Sequence, residues 1–68
     1  MEKFSERLKE LRLEKNLTQD KLAFETGLSQ AALANWESGK RSPAAYAVVI
    51  LAKYFGVTTD YLLGVTDD

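Results

Sequence analysis

The chain has 68 residues, of which 46% are hydrophobic and 28% charged, and this composition is typical of one small globular domain. Cysteine and histidine are absent, so disulfide bonds, thiolate metal sites, cysteine nucleophiles and histidine general bases are excluded. Nine Lys and Arg residues against ten Asp and Glu give a net charge of −1. The longest apolar run, residues 44–52, is far shorter than the roughly 20 residues of a membrane span. We therefore expect a soluble cytoplasmic protein with no metal, no cofactor, no small-molecule ligand and no membrane partner.

Helical signals recur along the whole sequence, starting with Phe4, Leu8 and Leu11 on one face of a charged segment. The predicted helices cover about 4–15, 19–26, 30–38, 43–55 and 59–63. Capping side chains precede the last four helices, at Thr18, Ser29, Ser42 and Thr58, and Pro43 takes the first helical position of the fourth. Residues that tolerate a left-handed backbone end the helices, namely Asn16, Gly27, Gly39, Gly56 and Gly64. The fold class is therefore all-α, a compact five-helix bundle over residues 1–64, and residues 65–68 are expected to be a frayed tail.

The second and third helices are joined by the short turn Gly27-Leu28-Ser29. Two short helices with such a turn between them are typical of a helix-turn-helix, whose second helix can enter the major groove of DNA. On the third helix, Leu33 and Trp36 are expected to face the core. The opposite face carries small or amide side chains that suit contact with adenine and with the thymine methyl group, namely Gln30, Ala31, Ala34 and Asn35.

With these features the sequence resembles the repressor/Cro-type helix-turn-helix (XRE) family of DNA-binding transcriptional regulators. The similarity covers about residues 4–64 and rests on L-T-Q-x-x-L-A-x-x-T-G-L-S from residue 17, W-E-x-G-K-R-x-P from residue 36 and L-A-x-x-F-G-V-x-x-D-x-L-L from residue 51. The resemblance implies a lambda-repressor-like domain that binds double-stranded DNA in a repressor-like role, as a homodimer on a palindromic operator. It implies base contacts from Ser29, Gln30, Ala31, Ala34 and Asn35. It implies phosphate contacts from Thr18, Gln19, Ser38, Lys40 and Arg41.

One ion pair is expected to join the first and third helices. Glu37 lies in the last turn of the third helix, where the helix dipole disfavours a carboxylate, so a cation is expected nearby. Arg12 borders the apolar face of the first helix, and in the family this arginine position pairs with this glutamate position. We therefore predict an Arg12–Glu37 ion pair.

The predicted fourth helix is apolar all round between residues 44 and 52, and such a helix is normally buried on every side. A chain of this size has too little mass to cover it, so the side with Tyr46, Ala47 and Ile50 is expected to be exposed. We predict a dimer surface there and on the last helix, formed by Tyr46, Ile50, Tyr54, Tyr61 and Leu63. Scattered apolar residues on the surface of a monomer are the alternative interpretation.

Two functions stay open at this point. A DNA-binding regulator is favoured by the amides of the third helix, whereas an antitoxin-like or other protein-interaction module with weak DNA affinity is favoured by the acidic balance and by extra apolar residues such as Phe24. An enzyme is least supported, because the carboxylates are spread along the predicted solvent faces and no catalytic residue emerges. The net charge is +1 over residues 1–16, zero over 17–45 and −2 over 46–68, so the acidic excess lies away from the third helix.

Overall fold

Five α-helices form the fold in this computed structural model, which describes residues 2–67. The helices are α1 (Glu2–Glu14), α2 (Gln19–Thr26), α3 (Gln30–Ser38), α4 (Ala45–Phe55) and α5 (Thr59–Leu63). Residues 2–67 contain no strand, so the prediction of an all-α five-helix fold is confirmed. None of the helices in this range has the length and apolar character needed to cross a membrane.

Local side chains determine most of the helix ends. The hydroxyls of Thr18, Ser29 and Thr58 each accept a hydrogen bond from the amide three residues later, at 2.9–3.0 Å. The residues predicted to end the helices all have a left-handed backbone, namely Asn16, Gly27, Gly39, Gly56 and Gly64. These ends agree with the sequence because each depends on residues only a few positions apart.

The core is formed by apolar side chains from all five helices. The largest fully buried ones are Phe4, Leu8, Leu22, Leu33, Leu51 and Leu62. Phe4 on α1 and Trp36 on α3 pack edge to face, with 6.4 Å between the ring centroids. This contact joins the two helices. Because α1 and α2 both pack against α3, the inner side of α3 is covered and its opposite side stays at the surface.

The fourth helix begins later than predicted. Ser42 and Pro43 were expected to cap it and open it, but α4 starts at Ala45, and its N-cap is Ala44, which has an extended backbone and no side-chain hydrogen bond. The carbonyl of Ala44 accepts the first helical bond from the Val48 amide at 3.2 Å. Pro43 is half-buried and, with Val48 and Leu63, lines a groove between α4 and α5.

The exposed side of α4 also differs from the predicted one. Ala47 was assigned to the exposed side but is fully buried, whereas its neighbour Ala45 is exposed. Val49 is 43% exposed and Tyr46 is 64% exposed, so these two residues mark the free side of the helix. The prediction was therefore right for Tyr46 and wrong for Ala47, because a helix that is apolar all round gives no sequence signal for its orientation.

Residues 65–68 were expected to be a frayed tail; residue 68 lies outside the described residues, and residues 65–67 are exposed, but two of them contact α1. The guanidinium of Arg7, which is buried on α1, donates hydrogen bonds to the carbonyls of Tyr61 and Thr66. It also pairs with the Asp67 carboxylate at 2.9 Å and stacks on the Tyr61 ring at 4.3 Å. This contact could not be predicted from the sequence, because the partners of Arg7 lie 54 to 60 positions away along the chain.

Candidate nucleic-acid interface

The turn between α2 and α3 has the predicted geometry. Gly27 has φ 77° and donates its amide to the Ala23 carbonyl at 2.9 Å, and this left-handed conformation favours glycine. Leu28 is buried beneath the turn. The hydroxyl of Thr26 bridges the turn, because it donates to the Leu22 carbonyl at 2.7 Å and accepts from the Leu28 amide at 3.3 Å. The angle between the two helices is therefore fixed by hydrogen bonds as well as by packing.

The outer face of α3 carries the side chains that the sequence assigned to base contacts. With 100° between successive residues, positions 30, 31, 34, 35 and 38 lie within less than half of the helix circumference. Gln30 and Ala31 are exposed, and Ala34 and Asn35 are half-buried at the edge of the bundle. Leu33 and Trp36 are buried on the opposite side, as predicted. The face carries no charged side chain, and its residues are exposed or half-buried.

Ser29 and Thr18 lie at the N-termini of α3 and α2, and each is exposed while its hydroxyl accepts a capping bond. The first backbone amides of these helices have no partner within the helix and carry the positive end of its dipole. Helix α2 has eight residues and α3 has nine. This geometry is suited to anionic groups such as backbone phosphates.

The loop after α3 carries two cations, Lys40 and Arg41, whose side chains are exposed and make no ion pair within residues 2–67. Its backbone is held firmly, since the Asn35 carbonyl accepts from the Lys40 amide at 2.9 Å and from the Ser38 hydroxyl at 3.1 Å. The loop therefore presents both cations from a fixed backbone at the C-terminal end of α3.

The structure contains the ion pair expected between Arg12 and Glu37. Arg12 Nε donates to Glu37 Oε2 at 2.7 Å and Nη2 donates to Oε1 at 2.9 Å, while Nη1 donates to the Leu17 carbonyl at 2.7 Å. The two side chains are only 11% and 5% exposed. The hydrogen bond to Glu37 raises the pKa of Arg12 above its ordinary value. This pair joins α1 to the last turn of α3.

Two further contacts extend the ion pair to the outer face of α3, and sequence reasoning missed them. Gln19 Nε2 donates to Glu37 Oε1 at 3.2 Å, and Gln30 Nε2 donates to Gln19 Oε1 at 2.8 Å. We name Arg12, Glu37, Gln19 and Gln30 together the glutamine network. The signal for it in the sequence was the presence of two glutamines near the turn. The sequence analysis had assigned Gln19 to a phosphate contact and Gln30 to a base contact.

The charges around this surface are largely neutralised except in the loop. Glu37 is paired with Arg12, and Glu25 lies 3.5 Å from Lys21 and accepts a hydrogen bond from the Tyr54 hydroxyl. That hydrogen bond holds the pKa of the Glu25 carboxyl below its ordinary value. Two of the three acidic residues between positions 17 and 45 are thus compensated internally, which leaves the two loop cations as the main local charge.

The residues predicted to form the dimer surface differ in their exposure and in their contacts within the chain. Tyr46 is exposed, Ile50 is half-buried, and Tyr54 is bonded to Glu25 on α2. Tyr61 packs against Arg7, while Leu63 lines the groove between α4 and α5. That groove, of about 370 Å³, also includes the exposed Val49, which the sequence analysis did not select. Among residues 2–67, no group of acidic side chains is arranged to hold a metal ion.

Comparison with known proteins shows that the chain is similar to helix-turn-helix proteins. A family model described as helix-turn-helix matches residues 8–62. The HTH-type transcriptional activator BcrR of Enterococcus faecalis is 45% identical over 60 residues, which are 88% of this chain and 29% of that protein. The uncharacterised HTH-type transcriptional regulator YobD of Bacillus subtilis is 35% identical over 65 residues, which are 96% of this chain and 58% of that protein. The chain thus spans less than two thirds of the length of both relatives.

A solved structure agrees in fold. The restriction-modification controller protein C.AhdI from Aeromonas hydrophila superposes with a TM-score of 0.80 and 34% sequence identity, over 90% of this chain and 92% of that one. The chain belongs to the repressor/Cro-type helix-turn-helix family, as its sequence motifs indicated.

Proposed function

We propose that this chain is a sequence-specific DNA-binding transcriptional regulator that reads the major groove with α3. The observation that carries the proposal is the exposed amide of Gln30, which donates a hydrogen bond to Gln19 on an uncharged helix face. A major groove about 12 Å wide admits one α-helix, and the small side chains of Ala31 and Ala34 allow close approach to base edges. A repressor-like role was expected from the sequence, but a relative named an activator supports only the broader function of regulator.

The proposed contacts divide into two groups. Base contacts come from Ser29, Gln30, Ala31, Ala34 and Asn35. Phosphate contacts come from Thr18, Gln19, Ser38, Lys40 and Arg41. The first group would provide sequence preference and the second would set the register of the protein on the duplex. The complex needs no cofactor and no catalytic residue, and it would form where the DNA is, in the cytoplasm.

The proposal includes a homodimer on a palindromic operator. With two loop cations and a net charge of −1, one copy has few charges for binding DNA, so two linked copies would bind much more tightly. The exposed apolar residues Tyr46 and Val49, beside the groove that contains Leu63, provide the surface for the second copy. The two α3 helices would then lie about 34 Å apart, one turn of DNA.

Selection from a random DNA pool tests the DNA-binding function. The chain should enrich a palindrome, and log affinity should fall linearly with log salt, by about 0.9 for each phosphate contacted. Gln30→Ala should change the enriched sequence, whereas the control Lys9→Ala on the exposed side of α1 should not. If the wild-type chain enriches no sequence, the proposal fails.

Sedimentation tests the dimer. Val49→Asp should shift the chain to a monomer and weaken operator binding, because a charge would replace an apolar contact. Leu13→Asp is the matched control, since it places the same charge on an exposed apolar position of α1 that has no proposed role. A wild-type chain that stays monomeric at high concentration, both alone and on operator DNA, would contradict the dimer.

A second function is favoured by one observation. Phe24 is 83% exposed at the centre of the outer side of α2, and an apolar side chain there suits a protein partner. An antitoxin-like or other protein-interaction module with weak DNA affinity would use this surface. The same DNA selection separates the two functions, because the interaction module would enrich no palindrome.

A further inference from the structure

We infer that Glu37 is a positioning residue for base readout, acting through Gln19 on the amide of Gln30. This inference rests on the proposed DNA-binding function and names a determinant of its specificity. Glu37 and Gln30 are seven residues apart on α3, or about 10.5 Å along the helix axis, which is too far for direct contact. Gln19, from α2, bridges this distance with hydrogen bonds of 3.2 Å to Glu37 and 2.8 Å to Gln30.

The position of the Glu37 carboxylate is fixed by its partner. Arg12 donates two hydrogen bonds to it, at 2.7 and 2.9 Å, and the Glu37 side chain is 5% exposed. Arg12 is itself held by its bond to the Leu17 carbonyl at 2.7 Å. The carboxylate is therefore a rigid acceptor at the start of the contacts that lead to Gln30.

The chemistry of this acceptor determines the orientation of both amides. A carboxylate can only accept hydrogen bonds, so Gln19 must direct its NH₂ group toward Glu37 and its carbonyl oxygen toward Gln30. That oxygen can also only accept, so Gln30 must direct its NH₂ group toward Gln19. With an amide or an apolar residue at position 37, both glutamines could rotate by 180° at little cost.

This orientation determines what Gln30 offers to DNA. One N–H of its amide is used by Gln19, which leaves the second N–H and the carbonyl oxygen in a fixed order along the free edge. A donor and an acceptor in fixed order match the N7 acceptor and N6 donor of adenine. Guanine presents two acceptors, N7 and O6, so it leaves the Gln30 oxygen without a donor. Glu37 thereby favours adenine over guanine at the base pair that Gln30 reads.

The test compares the affinities of operators that carry A or G at that base pair. The wild-type chain should prefer A by about tenfold, as expected for one two-point amide contact. Glu37→Gln should reduce the preference to less than about threefold, because both amides become free to rotate. Gln19→Leu should have the same effect while leaving the ion pair intact, so the inference can be tested even if Glu37→Gln does not fold.

A control and a double variant separate positioning from loss of structure. Ser5→Ala removes a different buried link between α1 and the end of α3, the 2.6 Å hydrogen bond from Ser5 to the Trp36 carbonyl, and it should leave the A-to-G preference unchanged. In a chain that already carries Gln19→Leu, adding Glu37→Gln should change the preference no further. A wild-type preference for G, or an unchanged preference in Gln19→Leu, overturns the inference. An equal loss in Ser5→Ala also overturns it.

The outcomes also distinguish this inference from the proposed function. A wild-type chain that enriches no DNA sequence contradicts the proposed function itself. A wild-type chain that enriches an operator, but whose preference is the same with Gln or Glu at position 37, contradicts the inference alone.

Discussion

Arg12 and Glu37 form a two-point ion pair that joins α1 to the last turn of α3, with N–O distances of 2.7 and 2.9 Å. The charges are almost completely removed from water, and a two-point arginine–carboxylate contact is the geometry in which such a pair is strongest. The pair holds α3 against α1, so it contributes both to the stability of the bundle and to the position of α3.

Truncating the arginine should destabilise the chain strongly. Arg12→Ala leaves the Glu37 carboxylate buried without its cation, and breaking a pair of this kind costs about 3–5 kcal/mol in the free energy of unfolding. Chemical denaturation measures the difference. Lys9→Ala, on the exposed side of the same helix, should change stability by less than about 0.5 kcal/mol. A melting temperature for Arg12→Ala close to that of the wild type would show that the pair contributes little.

The close approach of Gly64 to Lys3 gives a second prediction. A Cβ at position 64 would lie 2.4 Å from Lys3 Cβ, and this part of the lysine is fixed to the backbone of α1. Gly56 has a similar left-handed backbone but no atom within 4 Å of its Cβ position. Gly56→Ala should therefore lower the free energy of unfolding only by the left-handed backbone strain, about 1–2 kcal/mol. Gly64→Ala should lower it clearly more, because the added Cβ also meets Lys3. Equal thermal stability of the two variants would contradict this close approach.

The loop cations predict a change in salt dependence. If Lys40 and Arg41 each neutralise one phosphate, Lys40→Gln and Arg41→Gln should each reduce the slope of log affinity against log salt by about 0.9. They should weaken binding to all sequences alike, because phosphate contacts carry no base information. Lys53→Gln, an exposed cation on α4, is the control and should leave the slope unchanged. An altered sequence preference in the loop variants would mean that these side chains contact bases.

The hydrogen bond between Tyr54 and Glu25 predicts a shift in titration. Tyr54→Phe removes the donor, so the pKa of the Glu25 carboxyl should rise toward its ordinary value, and NMR titration of Glu25 measures it. A carboxyl group whose pKa is lowered in the folded state contributes stability at pH values above its ordinary pKa. This stability is lost as the pH falls through the pKa of the folded state. The wild type should therefore lose more stability on acidification than Tyr54→Phe does. Tyr46→Phe is the control and should leave the Glu25 titration unaltered.

Much of the helical layout followed from the sequence, because the signals involved are local. The capping hydroxyls of Thr18, Ser29 and Thr58 act on amides three residues away, and the residues that end the helices need only their own backbone conformation. The inward positions of Leu33 and Trp36 followed from helical periodicity. These features depend on neighbours along the chain, so they can be read before the tertiary structure is known.

The sequence by itself determined the number of helices, their ends next to Asn16 and the four glycines, and the presence of a helix-turn-helix with amides on its second helix. Tertiary structure alone decided where α4 begins, which of its sides is buried, and how Arg7 holds the last residues. It also decided the orientation of the Gln30 amide, because that orientation depends on acceptors supplied by α2 and by the far end of α3. Local hydrogen bonds act within a few residues, whereas packing and buried polar contacts depend on partners that only the folded chain brings together.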